Sequence, residues 1–311
     1  MLYHYCGYDK FESIIKSKTL WLTQIVKSND TEEVVRTFDI IWNKIKCEVS
    51  DGITDATKAK QMIDILEKQM KTEIWASTEG DEVPYGVCLS VNRDLAQNWN
   101  EYGDRGEGIA LGFSNDLMIG IPNDMPHPNL RFECAIGWDK VLYDREHVSN
   151  EFIPLIIETI NHSQNDMGWI NVRTTLKHYS AFIKNPSFQD EREIRIIYYP
   201  DKQHKYDGIS EVSNIIESPI PHCTLPWIKS SGLCALKEII IGTNCLKSED
   251  EIRSLLHKYE IYDDITIVRS DYPYRLSNNR NHKKKRYKKQ VLCKLYNKLR
   301  NKLSNTISKS M

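Results

Sequence analysis

Residues 86–113 read GVCLSVNRDLAQNWNEYGDRGEGIALGF and decide the fold class. The apolar runs at 86–91 and 109–113 predict two buried strands, with a short helix from Asp94 to Tyr102 and a glycine-rich turn between them. Further strands are predicted at 2–5, 19–22, 132–143, 191–199, 238–242 and 266–268. Several of these strands follow one another without βαβ alternation, which favours an α+β fold over a doubly wound sheet.

Helical spacing of apolar residues predicts the other elements, at 10–16, 32–47, 56–75, 152–160, 172–183 and 249–259. In the first of these helices, Phe11, Ile14 and Ile15 share one face and should be buried. The chain has 311 residues, of which 40% are hydrophobic and 27% charged, as is typical of globular rather than disordered proteins. We predict one globular domain over 1–273 and a tail over 274–311.

The cysteines and the apolar runs both indicate a cytoplasmic protein. The eight cysteines are dispersed singly with no CxxC pair, as expected of reduced thiols. Cys223, Cys234 and Cys245 are separated by gaps of ten residues, which is not a known zinc-ligand spacing, so we expect no metal. No stretch approaches about 18 uncharged apolar residues, and no basic segment precedes an apolar run at the start of the chain. We therefore expect neither a transmembrane segment nor a signal peptide.

Charge is divided unevenly along the chain. Residues 279–311 hold twelve of the 42 basic residues and none of the 43 acidic ones, so the tail carries about +12 and the rest of the chain about −13. From 291 to 307, apolar residues recur at helical spacing among lysines, which predicts a basic amphipathic helix.

Such a tail can bind nucleic acid, an anionic membrane, a protein partner or the acidic body, or it can remain a solvated extension. We rank nucleic acid and the body above membrane, because Asn, Ser and Thr interrupt the apolar stripe. The candidate nucleic-acid ligands are Lys283, Lys284, Lys285, Arg286, Lys288 and Lys289.

Two candidate sites contain ionisable residues. His4 lies in the first predicted strand, where a neutral imidazole can donate a hydrogen bond to a ligand hydroxyl; the alternative is a core histidine bonded to backbone. Because alternate strand residues share a face, Glu191, Glu193 and Arg195 are predicted to point the same way. Two carboxylates beside a guanidinium can stabilise developing positive charge or activate a nucleophile. The alternative is a solvent-facing ladder of charges, but the apolar run that follows indicates an interior strand whose mouth lines a cleft.

A third candidate site is aromatic. Ser90 is predicted to end a strand, and Trp99 and Tyr102 share one face of the next helix. An aromatic pair beside a glycine-rich turn can stack a planar ring, whereas core packing is the alternative, above all for Trp99. The glycines at 103, 106 and 108 match no phosphate-binding fingerprint.

Together these segments resemble a bacterial family, the domain of unknown function 2971, over most of residues 1–245. The departures are Thr31, where a proline is usual, and Ile194, where an aromatic residue is usual. The segments that carry the resemblance are Leu2–Tyr5, Ile14-Ile15, Leu20–Leu22, Asn29-Asp30 with Glu33, Cys88–Ser90, Trp99–Gly103, Gly108–Phe113, Phe182–Lys184, Glu191–Arg195 and Ile239–Gly242.

The layout is also similar, more loosely, to the ADP-ribosyltransferase fold, which implies split antiparallel and mixed sheets with peripheral helices. By that resemblance His4, with Tyr5 beside it, holds the ribose of the nicotinamide nucleotide. Ser90 occupies the middle-strand position, and Tyr102, with Trp99, stacks on nicotinamide. Glu193 stabilises the oxocarbenium ion as nicotinamide leaves, and Glu191 activates the acceptor. Arg195 or Arg105 then has to offset the charge of the dianionic cofactor.

The resemblance implies an enzyme that consumes NAD as substrate, either an ADP-ribosyltransferase or an NAD glycohydrolase, in a setting such as phage defence or toxin action. The alternative from another class is a non-enzymatic nucleic-acid-associated binding module, in which Glu191 and Glu193 pair with lysines or arginines.

Overall fold

The computed structural model describes residues 1–25, 84–121, 136–143, 181–198, 210–212 and 222–272, together with residues 150 and 154. The elements whose bounds it describes belong to one unit, Met1–Tyr272. In chain order they are β1 (Leu2–Cys6), α1 (Tyr8–Ser17), β2 (Thr19–Gln24), β3 (Tyr85–Ser90), α2 (Ala96–Glu101), β4 (Ile109–Phe113), β5 (Ile136–Lys140), β6 (Glu193–Tyr198), β7 (Ser210–Val212), β8 (His222–Pro226), β9 (Leu236–Ile241), α3 (Glu249–Lys258) and β10 (Thr266–Arg269).

The sheet divides at β3. Along one edge, every residue of β3 from Tyr85 to Ser90 pairs with β6. Along the other edge, Ser90 pairs with β1, while Tyr85 and Gly86 pair with β2. Residues 87–89 have no strand partner on that edge within the described part of the chain, and we name this stretch the β3 gap. One group of strands, β1-β4-β9-β10, continues from the end of β3, and the groups β2-β8-β7 and β6-β5 continue from the rest of it.

The pairing confirms the predicted α+β class. Between the described strands, β9 and β10 are parallel and every other pair is antiparallel. Among the described elements, few helices separate the strands, and the mixed sheet shows no repeated βαβ crossovers there.

Two apolar clusters cover different faces of the β1-β4-β9 strands. The larger cluster includes Phe11, Ile14 and Ile15 of α1, which confirms the predicted inner face of this helix. Burying a side chain of this size stabilises the fold by roughly 1.5–3 kcal/mol. The smaller cluster includes Tyr5 of β1 and Trp99 of α2. Because successive strand residues point to opposite faces, His4 lies on the other face of β1 from Tyr5.

Three predictions about secondary structure need correction. The strand predicted from 191 begins at Glu193, because Glu191 ends a 3-10 helix, Pro186–Glu191, and Arg192 has a left-handed φ of 43°. In the helix predicted over 172–183, the described residues 181–183 are not helical; Ile183 forms an isolated bridge with Leu142. The strands β7 and β8 were not predicted at all, since their segments lack a clear alternation.

Other predictions lie outside the described residues. These are the helices at 32–47, 56–75 and 152–160, the rest of the helix at 172–180, and the tail with its six basic ligands, Lys283, Lys284, Lys285, Arg286, Lys288 and Lys289. They remain predictions. Among the described helices, none is both long and apolar enough to cross a membrane.

Candidate functional site at the division of the sheet

The register between β3 and β6 brings four functional side chains together. Ser90 lies opposite Glu193, and Cys88 lies opposite Arg195. Directly opposed residues of antiparallel strands share a face, as do residues two apart, so all four side chains lie on one face of this pair. The prediction that Glu193 and Arg195 point the same way is therefore confirmed.

Glu193 is a buried carboxylate held by cations. Its Oε1 accepts from Nε of Arg195 at 2.5 Å, and its Oε2 accepts from Nζ of Lys184 at 3.1 Å. Its backbone N–H donates to the Tyr143 hydroxyl at 3.0 Å. Burial opposes ionisation, but Arg195 and Lys184 outweigh it and lower the pKa of Glu193 to about 2. The carboxylate is therefore ionised at any physiological pH.

Glu191 reaches the same place from a different element. Asn185 caps the 3-10 helix that Glu191 ends, and the Ser90 hydroxyl donates to the backbone oxygen of Glu191 at 2.7 Å. The carboxylate of Glu191 accepts from Nζ of Lys184 at 2.6 Å and from the Tyr102 hydroxyl at 3.2 Å. The two glutamates thus converge as predicted, but through a helix end and a left-handed Arg192 rather than along one strand.

Lys184, Glu191, Glu193 and Arg195 form what we name the charge cluster. All four residues are buried, and Lys184 bridges the two carboxylates. Two positive and two negative charges sit together, so each ion is compensated without water. The Arg195 guanidinium also donates to the backbone oxygen of Ala181 at 2.7 Å, which ties the cluster to the segment before Lys184. Buried charges of this kind persist only when each has a partner.

Of the two aromatic residues predicted to stack on a ligand, Trp99 and Tyr102, Tyr102 is the one that remains accessible to solvent. It caps the C-terminus of α2 and is 42% exposed. A Cβ on Gly108 would collide with the backbone oxygens of Cys6 and Gly103, so the turn after Tyr102 packs directly against the end of β1. Burial and the neighbouring carboxylates raise the pKa of Tyr102, and nearby Lys184 only partly offsets this. The phenol therefore stays protonated and donates a hydrogen bond to Glu191.

His4 reaches into the β3 gap. Its Nδ1 lies 3.2 Å from the backbone oxygen of Cys88, and because a carbonyl only accepts, Nδ1 carries the hydrogen. Burial lowers the pKa of His4, and the charge of Lys10 lowers it further, although the Cys88 carbonyl acts in the opposite direction. The imidazole is neutral at pH 7, with an accepting Nε2. His4 was predicted to donate to a ligand hydroxyl, whereas this tautomer accepts from one.

Cys88 is an exposed residue that lies next to the charge cluster. Its side chain is exposed, yet desolvation by the surrounding protein is the main reason that its pKa is raised, followed by the charge of Glu193 and a hydrogen bond to that carboxylate. The thiol remains protonated at neutral pH, so it is not a nucleophile there.

Three residues that were predicted to bind the ligand, Tyr5, Trp99 and Arg195, are buried and cannot contact one at this site. Trp99 is 1% exposed and packs edge-on against Tyr5, with ring centroids 5.0 Å apart. The Tyr5 hydroxyl donates to the backbone oxygen of Asn92 at 2.9 Å. Both therefore belong to the smaller apolar cluster. Arg195 was expected to offset the charge of a cofactor, but it is buried against Glu193 and cannot reach a phosphate.

Sequence reasoning missed Lys184, Cys88 and Tyr143 as parts of the site. Lys184 and Cys88 lie in segments that carry the family resemblance, Phe182–Lys184 and Cys88–Ser90, but neither has a motif of its own. The only available signal for Lys184 was a lysine that directly follows an apolar pair, seven residues before Glu191.

The chemistry of the site follows from these groups. It offers an accessible aromatic ring, a neutral imidazole with a free lone pair, and a carboxylate that is always ionised. Such a set can bind a planar ligand, accept a proton and stabilise positive charge. Among the described residues, no three His, Cys, Asp or Glu side chains are grouped as a metal site would require.

A family model described as "Protein of unknown function (DUF2971)" matches residues 98–196. Over these residues, the predicted family resemblance is confirmed. The matched segment includes Tyr102, Lys184, Glu191, Glu193 and Arg195, so most of the site lies within the family's shared region. No curated protein and no solved structure matches the chain.

Replacing Lys184 by Met should destabilise the protein by about 3–5 kcal/mol, because two buried carboxylates lose their common cation. Urea unfolding followed by circular dichroism measures the change. Lys247→Met is the matched control, since Lys247 pairs with Glu251 on the surface, where both side chains are largely solvated. Equal unfolding midpoints for the two variants would contradict a structural role for Lys184.

The ionisation of Glu193 should appear in the pH dependence of stability. Its pKa is about 2 in the folded protein against 4.5 for the free group, so the unfolded state takes up the proton first as pH falls. The stabilisation is present above pH 4.5 and is lost toward pH 2; between pH 6 and pH 3 the loss is about 2 kcal/mol.

Glu193→Gln should lack this component, so its free energy of unfolding should fall less steeply over the same pH range. The exposed Glu101→Gln on α2 serves as the control and should follow the wild type. Parallel pH profiles for the wild type and Glu193→Gln would show that the carboxylate is not held ionised in the fold.

Proposed function

We propose that this site binds the nicotinamide end of NAD and breaks the bond between nicotinamide and ribose, as an ADP-ribosyltransferase or an NAD glycohydrolase does. Three contacts near the β3 gap support the proposal: the His4 imidazole bonds to the backbone oxygen of Cys88, the Cys88 thiol lies against Glu193, and the Tyr102 hydroxyl bonds to Glu191. His4, Tyr102 and Glu193 each supply one requirement of that reaction: a hydrogen bond to the ribose, a face for the planar ring, and a carboxylate near the anomeric carbon.

The arrangement of strands supports the same proposal. His4 lies on the opening strand, Ser90 ends the middle strand, and Glu193 begins a late strand. The sheet divides at β3, where the described pairing with β1 is that of Tyr3 with Ser90. The resemblance to the ADP-ribosyltransferase fold implies this order of an opening strand with His, a middle strand that ends in Ser and a late strand that bears Glu.

Glu193 acts as the electrostatic group. As nicotinamide leaves, positive charge develops on the ribose, and an ionised carboxylate close to it lowers the barrier. The hydrogen bond from the Cys88 thiol is the weakest that Glu193 accepts, because a thiol is a poor donor. A ribose hydroxyl entering by the exposed Cys88 replaces that bond and leaves the bonds to Arg195 and Lys184 intact.

Tyr102 and Arg105 complete the binding surface. The exposed ring of Tyr102 offers a face for nicotinamide, while its hydroxyl stays on Glu191. The pyrophosphate needs a cation that is not already buried in an ion pair. Arg105 is exposed in the turn that follows Tyr102, so it replaces Arg195 as the proposed phosphate ligand.

Incubating the purified protein with NAD should release nicotinamide, measured by chromatography. Tyr102→Ala should raise KM by removing the stacking face, whereas Tyr102→Phe keeps the ring and should change KM little. Glu193→Gln should lower kcat by roughly 100-fold or more, since removing one strong electrostatic interaction costs that much. Tyr262→Ala, at a distant exposed tyrosine, is the control.

Since Glu193→Gln disturbs the charge cluster, its activity is compared only at temperatures where its circular dichroism spectrum matches that of the wild type. No release of nicotinamide, with or without RNA or cell lysate as a source of acceptors, would refute the enzyme proposal.

One observation favours the alternative class. All four members of the charge cluster are buried and paired, which is what a purely structural cluster requires. In that case the functional surface is the basic tail, and the protein is a non-enzymatic module that associates with nucleic acid.

Replacing Lys283, Lys284 and Lys285 by Gln in the full chain tests the tail. The affinity for RNA or DNA should fall, and the slope of log Kd against log salt should decrease by about 0.7–0.9 for each phosphate that the tail no longer neutralises. An unchanged salt slope would remove nucleic acid as the ligand of the tail.

A further inference from the structure

Glu191 is closed to any large acceptor. It is 3% exposed, and its two carboxylate oxygens are bonded to Lys184 and Tyr102. A protein or nucleic-acid acceptor activated by this residue would have to displace Lys184 or Tyr102 from a carboxylate that is almost fully buried, which leaves no room for a large acceptor. The acceptor role that the resemblance gave to Glu191 therefore does not fit its surroundings.

His4 has an accessible basic atom, Nε2, which the buried Glu191 lacks. The bond from Nδ1 to the Cys88 oxygen fixes the ring and its tautomer, as the orienting partner of a catalytic histidine does. Nε2 has no hydrogen-bond partner among the described residues, and the side chain is partly open to solvent. A fixed, neutral imidazole with an accessible lone pair can take a proton from a water molecule.

The groups around His4 support this state of the ring. Lys10 approaches from α1, and its positive charge disfavours a second positive charge on the imidazole. On the side of β3 the neighbours are the carbonyl and the protonated thiol of Cys88, and beyond them Glu193 and Arg195, whose charges compensate each other. On β4 the residue opposite His4 is the apolar Leu111.

We infer that the acceptor at this site is water and that Nε2 of His4 is its general base, so that the product is free ADP-ribose. The inference rests on the proposed function, with one change: Nε2 of His4 holds the attacking water in place of a ribose hydroxyl, because Nδ1 is already bonded to the Cys88 oxygen. The bond between C1′ of the ribose and the nicotinamide nitrogen breaks, and its electron pair leaves with neutral nicotinamide. The water oxygen bonds to C1′, and one water proton passes to Nε2 and then to solvent. The sum is NAD⁺ and water giving nicotinamide, ADP-ribose and one proton.

The test measures two products of the full-length protein separately, nicotinamide and free ADP-ribose, with and without added RNA and lysate protein. Equal amounts of the two, unchanged by the additions, are expected. The inference would be overturned if nicotinamide were released without an equal amount of free ADP-ribose and the ADP-ribose of isotopically labelled NAD were found on protein or RNA instead. That result would leave the proposed function standing. Release of neither product would overturn the proposed function itself.

The role of His4 has its own readout. His4→Ala should lower kcat by about 100-fold or more with little change in KM, because a general base contributes about that factor. Added imidazole should restore part of kcat in His4→Ala but not alter the wild type, and a merely structural histidine would show no such rescue. The wild-type kcat should fall only at a pH below that at which a free imidazole titrates, because burial lowers the pKa of His4, and this fall should be absent in His4→Ala. A His4→Ala variant with wild-type kcat, or one that folds but is not rescued, would overturn the role of His4 as base.

Discussion

Lys184 places one ammonium group between two buried carboxylates, 2.6 Å from Glu191 and 3.1 Å from Glu193. Glu191 ends a 3-10 helix and Glu193 begins β6, so this single cation joins a loop to the strand that pairs along the whole of β3. Without it, two like charges would face each other in a desolvated interior, and the loop that carries Glu191 would lose its anchor. The placement of Tyr102, through its bond to Glu191, depends on the same interaction.

Much of the fold was predictable because it follows local rules. Alternating or continuous apolar runs gave β1, β3, β4 and β9, and helical spacing gave the buried face of α1. The site was predictable only in part. His4, Tyr102 and Glu193 were proposed from residue type and position. The left-handed φ of Arg192 at the end of the 3-10 helix could not be predicted, because no glycine or asparagine stands there. The pairing of Lys184 with both glutamates is a tertiary contact that no periodicity encodes. Trp99 shows the converse, since its position one helical turn from Tyr102 suggested a shared ligand face, whereas packing against Tyr5 buries it.

The charge cluster also bears on how an acidic protein would accommodate the anionic ligand that we propose. Outside the tail the chain carries about −13, which disfavours a dianionic nucleotide at long range. Within the site, however, two cations balance two anions, so the local field is that of a compensated cluster with one carboxylate turned toward the exposed Cys88. In our account, that orientation supplies negative charge at the ribose, while Arg105 and the binding energy of the rest of the nucleotide offset the repulsion from the body.

The central claim is that a nicotinamide nucleotide occupies the β3 gap beside Cys88. The most direct measurement is the rate at which N-ethylmaleimide labels Cys88, followed by peptide mass spectrometry at about pH 8.5, where more of the thiol is ionised. Cys6, Cys223, Cys234 and Cys245 are buried and serve as internal references for unfolding. The account predicts that NAD slows the labelling of Cys88 in a saturable way while the reference cysteines stay unlabelled. A labelling rate for Cys88 that is unchanged at millimolar NAD would contradict it.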